Sequence, residues 1–283
     1  MITCYLMGGL GNQIFQIFAT IAYSIKSKNQ AKFVNTDTLL TPGCTIRYTF
    51  WQTFFYNLKP FLITQTPNPM HIIREKSFAY NELSIDEISS NNNVLLYGYF
   101  QSYKYFENHY SSIYRFIGID KMKESLLNKI KLTSHDLNTN ISLHFRLGDF
   151  KSLQNKHPIT TYNYYEGSLK YIQNKIPNEN FTILFFCEDS DYSDVLLTIK
   201  KLQNKFPDYN FIRGDRTLAD WEQLLLMSCC HHNIIANSSF SWWGAYFNLH
   251  ADKIVCYPSL WFGPALNHDT KDLCPPEWVK INV

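Results

Sequence analysis

The chain predicts an α/β protein built on parallel sheet, and three observations predict it. It opens as apolar strand, glycine loop and amphipathic helix, in "YLMGGLGNQIFQIFATIAYSIKSK". From Ile141 onward, short apolar runs alternate with helical patterns of roughly ten to fifteen residues, as in parallel sheets covered on both faces. The polar residues of that half gather at the carboxyl ends of the predicted strands, the edge where open α/β sheets bind ligands.

Taken in order, Ile2–Met7 is apolar enough for a buried strand, and Ile14, Phe15, Phe18, Ile21, Ala22 and Ile25 recur at helical spacing behind it. Between them stands "GGLGNQ". Gly8, Gly9 and Gly11 either turn the chain tightly or let backbone approach a ligand closely, and a helix N-terminus after such a loop can hold an anion. A Walker loop would need Lys and Ser/Thr where Asn12 and Gln13 stand, and a dinucleotide fingerprint would need glycine where Ile14 stands. Residues 29–133 carry weak patterns: loops at Thr64–Met70 and Ser89–Asn93, and a strand at Val94–Phe100. The polar stretch Thr133–Asn140 marks the expected boundary, giving domains 1–135 and 136–283.

The second half is regular. Strands are expected at Ile141–Arg146, Phe181–Cys187, Tyr209–Ile212, Asn233–Ala236 and Lys253–Pro258. The helices between them carry Tyr165, Leu169, Ile172 and Ile176 on one face, then "DYSDVLLTIKKL" from Asp191, "WEQLLLMSC" behind a capping box of Thr217 and Asp220, and "SFSWWGAYFNL". The strand ends carry "HFRLGD" (His144–Asp149), "EDSD" (Glu188–Asp191), "RGDR" (Arg213–Arg216) and "NSSFS" (Asn237–Ser241). A guanidinium at Arg146 and hydroxyls at the helix start, Ser238 and Ser239, are what a diphosphate needs. Carboxylates on the same edge suit ribose hydroxyls or a guanine N–H face. Each residue has a plainer reading as well. Arg146 can pair with Asp149 structurally, His144 can be a satisfied core histidine, Ser238 and Ser239 can cap a helix, and Trp242 and Trp243 can pack against the sheet.

Composition narrows the function classes. The chain has 283 residues, 45% of them hydrophobic, so it is globular. A net charge of +2 without basic blocks gives no reason to expect nucleic acid. Aromatics reach 16%, a surplus that also suits stacking on sugar faces. No leader pattern or membrane-length apolar run is expected. The seven cysteines are an odd set without framework spacing, which points to a reducing, cytoplasmic location and makes the sequons at Asn140, Asn180 and Asn237 chance matches. In "CCHH", Cys229–His232, four adjacent residues cannot all turn to one tetrahedral ion, so no metal ligand is expected there and the segment reads as a helix end.

Four segments, "GGLGNQIFQIFA", "GYFQSYKYF", "LHFRLGDF" and "IIANSSFSWWGAYFN", together resemble the alpha-1,2-fucosyltransferases of glycosyltransferase family 11, in the family's order and over nearly the whole chain. The resemblance implies a GT-B architecture of two Rossmann-like domains facing a cleft, with GDP-fucose held mainly by the C-terminal one. It implies inversion at the fucose anomeric carbon and transfer to the 2-hydroxyl of a galactose-terminated acceptor, with no metal and no cofactor beyond the co-substrate. Carried over, Arg146 would clamp the diphosphate with His144 beside it, and Ser238, Ser239 and Phe240 would line phosphates and ribose. Glu188 and Asp189 would face the nucleobase. Gly9, Gly11, Asn12 and Gln13 would close on the donor from the other domain, and Tyr99 and Gln101 would meet the acceptor. The chain departs from the family at Leu147, where a second basic residue is usual, and in "FFCED", where the family often reads "FSDD".

Two chemical demands follow: the charge growing on departing GDP must be stabilised, and the acceptor hydroxyl must lose a proton. Arg146 and the helix start at Ser238 meet the first. Asp149 is the candidate general base, with Glu188 and Asp189 as rivals. Two other readings stand beside this one. "DSD", Asp189–Asp191, follows an apolar strand as the metal-binding Asp-x-Asp of other glycosyltransferases does, although Asp191 also fits as a helix N-cap. A sugar-nucleotide- or glycan-binding protein without catalysis is the third.

Overall fold

A computed structural model describes residues 1–39, 46–68 and 70–283. Cys44, and Pro69 of the expected loop at Thr64–Met70, lie outside the described residues. The chain divides into two compact units, Met1–Lys121 with His268–Pro275, and Met122–Asn267 with Pro276–Val283. The change of unit falls ahead of the polar stretch Thr133–Asn140, within a helix, rather than at 135/136.

The first unit holds strands β1 (Ile2–Cys4), β2 (Phe33–Val34), β3 (Thr38–Leu39), β4 (Arg47–Tyr48), β5 (Leu62–Ile63), β6 (His71–Arg74) and β7 (Val94–Tyr97). Its helices are α1 (Leu10–Lys26), α2 (Ile85–Ser90) and α3 (Tyr110–Ile117). β1, β7 and β6 form a parallel sheet in that order, with Cys4 level with Leu96. The first strand is shorter than Ile2–Met7 because Met7 turns its N–H away from the ladder to the Gln16 carboxamide oxygen, at 3.0 Å. β7 likewise stops at Tyr97. Helix α1 is buried well beyond one stripe, and two of its hydroxyls are satisfied locally: Thr20 and Ser24 donate to the Gln16 and Ile21 carbonyls at 2.7 Å. Phe15 and Phe18, both fully buried, meet Phe106, so aromatic packing fastens α1 to the segment preceding α3. Gly118, at φ +84°, ends α3 in the left-handed cap that glycine adopts without strain.

The second unit begins within α4 (Ile119–Ile130) and runs β8 (Asn140–His144), α5 (Tyr162–Lys175), β9 (Thr182–Phe186), α6 (Tyr192–Lys205), β10 (Asn210–Arg213), α7 (Asp220–Cys229), β11 (His232–Ile234), α8 (Ser239–Tyr246), β12 (Val255–Pro258) and β13 (Val279–Ile281). The sheet order is β10-β9-β8-β11-β12-β13 with every pair parallel. Ile141, Leu143, Ile183, Phe185, Leu169 and Ile199 form its core with Tyr164 and Tyr165, each such side chain adding about 1.5–3 kcal/mol by burial. The Tyr164 hydroxyl, inside that core, donates to the Ile235 and Cys256 carbonyls and so ties β11 to β12. Trp242 and Trp243 are fully buried, as the packing reading expected.

Three local readings change. Thr217 does not open α7; its N–H and hydroxyl go to Asp215, and Glu222 reaches back to the Ala219 N–H at 2.9 Å instead. Asp191 stands at the N-cap position of α6, yet its side chain makes no cap bond. The edge strand β13 was not anticipated, because its sequence has no apolar run of its own.

Candidate functional site

Strand order places the carboxyl ends of β10, β9, β8 and β11 side by side, so the polar clusters that follow them share one edge of the second unit. Arg146 follows β8 and is held by two carboxylates. Its Nη2 donates to Asp149 Oδ1 at 2.6 Å and its Nη1 to Glu188, while the guanidinium lies over the Phe150 ring at 5.1 Å. The plainer pairing of Arg146 with Asp149 is therefore present. Both carboxylates are about half exposed while the guanidinium is largely covered, so the cation is fixed and its partners are exchangeable.

The loop carrying Arg146 is pinned from below. Asp191, almost wholly buried, accepts the Gly148 N–H at 2.6 Å and pairs with Lys151 at 2.8 Å. Asp194 also reaches Lys151, and these two carboxylates raise its ammonium above the usual lysine range. Gly148 sits at φ +37°, and a Cβ there would lie 3.2 Å from the Glu188 carboxylate, so the turn needs glycine. Asp189 is taken by Arg213 at 2.5 Å, with that guanidinium stacked 4.3 Å over Tyr192. Both carboxylates of "DSD" thus hold basic side chains.

His144 is buried, packs against Phe240 at 5.7 Å between ring centres, and leaves Nδ1 with no hydrogen-bond partner among the described residues. It is not a satisfied core histidine. Burial, and then the Arg146 charge, push its pKa down to about 3, so the ring is neutral at neutral pH. Phe240 sits in the first turn of α8, whose N-cap Ser238 accepts the Phe240 N–H at 3.3 Å. The cap reading of Ser238 holds, and Ser239 is the first helical residue behind it. Asn237, just ahead, donates to the Pro158 and Trp261 carbonyls and keeps a buried Oδ1 without a partner among the described residues. At the other end of α8, Lys123 and Lys253 donate to the Phe247, Ala245 and Asn248 carbonyls. Burial lowers the Lys253 pKa to about 8. The negative end of the helix dipole is thereby neutralised.

In the first unit, α1 begins at Leu10, so Gly11, Asn12 and Gln13 lie in its first turn and only Gly8 and Gly9 form the loop. Gly8 has φ +75°, and a Cβ there would meet Asn12 Nδ2 at 2.3 Å. Gly9 is ordinary in backbone, and a Cβ there would meet nothing within 4 Å. Asn12 accepts from Gln101 Nε2 at 2.8 Å, which brings these two predicted residues together. Gln13 is fully buried and spends its amide on the Gly8 and Tyr48 carbonyls, so it braces the loop from inside. Tyr99 is exposed, and the Glu75 carboxylate accepts the N–H groups of Tyr99 and Phe100 at 2.7 and 3.0 Å. Phe100 stands at φ +52°, a strained position that Glu75 helps to hold. Sequence reasoning missed Glu75 and Lys151, for which the sequence carries no signal. Asp191 is expected as a helix N-cap or as part of a metal-binding Asp-x-Asp, and it instead holds Gly148 and Lys151.

No helix among the described residues is long and apolar enough to cross a membrane. Two proteins of Escherichia coli are similar along the full chain. The O-antigen biosynthesis glycosyltransferase WbnK is 28% identical, covering 99% of this chain and 100% of that protein. An alpha-1,2-colitosyltransferase is 29% identical, covering 99% of both. In fold, the chain is similar to POFUT1 in complex with GDP-fucose, at TM-score 0.50 and 10% identity over 99% of this chain and 96% of that one. The α/β fold of the GT-B type expected from the sequence is the fold found. The model of glycosyl transferase family 11 matches residues 1–282, and the chain belongs to that family of glycosyltransferases.

Proposed function

We propose that this glycosyltransferase moves L-fucose from GDP-fucose to the 2-hydroxyl of a galactose-terminated acceptor, with inversion and in the cytoplasm. The observation that carries the proposal is the set of groups gathered at the sheet edge: Arg146, neutral His144 with its orphaned Nδ1, and the N-terminus of α8 at Ser238, Ser239 and Phe240. The diphosphate takes over the Arg146 fork from Asp149 and Glu188. The Asp149 carboxylate so released serves as general base, and Glu188 and Asp189 turn to the nucleoside. Gly9, Gly11 and Asn12 are assigned to the donor, and Tyr99 and Gln101 to the acceptor. No divalent ion is needed, since Arg146 and the α8 dipole answer the charge on departing GDP. Asp189 and Asp191 are already committed to Arg213 and Lys151.

GDP release is measured from GDP-fucose, GDP-mannose and UDP-galactose, with and without lactose, in excess chelator. Lactose-dependent release from GDP-fucose alone supports the proposal. Release that chelator abolishes returns the reaction to the Asp189–Asp191 metal reading, and tight GDP binding without turnover on any acceptor favours a binding protein. One second reading has an observation behind it, the similarity to an alpha-1,2-colitosyltransferase. Colitose lacks the 3-hydroxyl of fucose, so turnover of the nucleotide-activated deoxy sugar in preference to GDP-fucose selects that donor.

A further inference from the structure

At the opposite, amino-terminal edge of the six-stranded sheet, three side chains from two separate segments converge. His231 lies between α7 and β11, while His250 and Asp252 lie between α8 and β12. One ligand atom from each falls within 4.8 Å of the other two. His231 Nδ1–H donates to the Asn138 carbonyl at 2.8 Å, which leaves Nε2 facing Asp252 Oδ1 at 2.9 Å. With its proton on Nδ1, the ring presents a lone pair to a carboxylate oxygen, and only a second proton or a cation between them makes that approach favourable. His250 stacks on His231 with 4.5 Å between ring centres and 13° between planes. The His231 imidazole therefore has one nitrogen tied to backbone, the arrangement that fixes the tautomer and aim of metal-ligating histidines.

We propose that His231, His250 and Asp252 form a structural zinc site. Two imidazoles and one carboxylate are a zinc donor set, with water in the fourth place. The ion replaces the proton between His231 and Asp252 and draws the His250 ring out of parallel stacking, because a metal must lie near the plane of each ring it binds. Three segments are thereby pinned: the residues ahead of β8 through the Asn138 carbonyl, the α7–β11 junction, and the α8–β12 loop. The site explains the segment "CCHH" differently from its sequence reading. Of the four, His231 alone is a ligand, and its partners come from the following loop. This inference is independent of the donor sugar and its acceptor.

Tag-free protein is titrated with zinc against a chromophoric chelator, beside His250→Gln, Asp252→Asn and Cys229→Ser. The expected result is one zinc per chain with Kd below about 1 μM, weakened at least roughly tenfold in each of the first two variants and unchanged in Cys229→Ser. At a hundredfold excess over Kd, zinc raises the melting temperature of the parent by roughly 5–10 °C and of His250→Gln by much less. Donor turnover is the same with and without zinc, since the site lies away from Arg146. Binding no tighter than about 100 μM, or binding that follows Cys229 rather than His250 and Asp252, overturns the site and leaves a protonated His231 paired with Asp252.

Discussion

Gly8 and Gly9 are neighbours with opposite expected responses to the same methyl group. At Gly8, alanine must hold φ +75°, which costs about 1–2 kcal/mol for an L-residue. The new Cβ also falls 2.3 Å from Asn12 Nδ2, so Asn12 must move and its bond to Gln101 is lost, adding about 1 kcal/mol. The sum, about 2–3 kcal/mol, corresponds to a fall in melting temperature of roughly 5–10 °C. At Gly9 the backbone is already in an ordinary region and the Cβ points into open space. Alanine is a slightly poorer N-cap than glycine but restricts the unfolded chain, so stability stays within about 1 kcal/mol of the parent. If that open space is where the donor sits, the methyl group costs about 1–3 kcal/mol of donor binding, a rise of about tenfold or more in KM for GDP-fucose. Thermal melts and GDP-release kinetics on the two variants separate the effects. Gly9→Ala melting as low as Gly8→Ala, or keeping the parent KM, would falsify the reasoning and make both glycines servants of the turn.

Other outcomes follow from the second unit. Arg146→Ala is expected to keep its circular dichroism and lose about 10²–10³ in GDP-release rate, with Arg146→Lys recovering part of it as a single point charge; near-parent turnover in the alanine variant removes Arg146 from the diphosphate. Asp191→Ala takes away the acceptor of the Gly148 N–H, worth about 2 kcal/mol as a bond to a charged group. Its GDP affinity is expected to drop about tenfold, while Asp191→Asn, which can still accept that bond, keeps most of it. Equal affinities by titration calorimetry in parent and alanine variant refute the pinning. For His144, burial holds the folded-state pKa near 3, while the unfolded ring titrates at its ordinary value. The unfolded chain therefore binds the proton first, and this contribution, fully present above about pH 6.5, is lost as pH falls toward 3. Denaturant midpoints at pH 7 and 4.5 should differ less in His144→Gln than in the parent; identical differences contradict the buried neutral ring.

The second unit was legible because its strands are apolar runs ended by polar clusters, and buried parallel strands have no need to alternate. Their shared edge followed from topology alone, which is why His144, Arg146, Glu188 and Ser238 were found together. Asp191 was misread because an acid at a helix start usually caps it, and only the fold reveals Gly148 and Lys151 as its partners. The first unit was opaque for a different reason. β2 to β5 are two-residue strands, too short to leave a period, and Glu75 acts on the backbone of Tyr99 and Phe100, which no pattern of side chains advertises. Gln13 is placed at the donor only by the family resemblance, and its amide is instead spent on backbone carbonyls. One of those acceptors, the Tyr48 carbonyl, lies far along the chain.

The order in which the chain is made bears on the segment His268–Pro275. It packs with the first unit, where the Asp272 side chain accepts the Tyr80 N–H at 3.2 Å and pairs with Lys104 at 2.5 Å, and its carbonyl accepts from Ser102 at 2.6 Å. The edge strand β13 follows at once and closes the other sheet. A ribosome delivers both pieces only after residues 1–267, so neither half can finish folding as it emerges, even though the first was begun more than half of those residues earlier. Until then the nascent protein carries two incomplete folds. A stop codon ahead of His268 would leave both of them open, a loss of two buttresses through one small deletion.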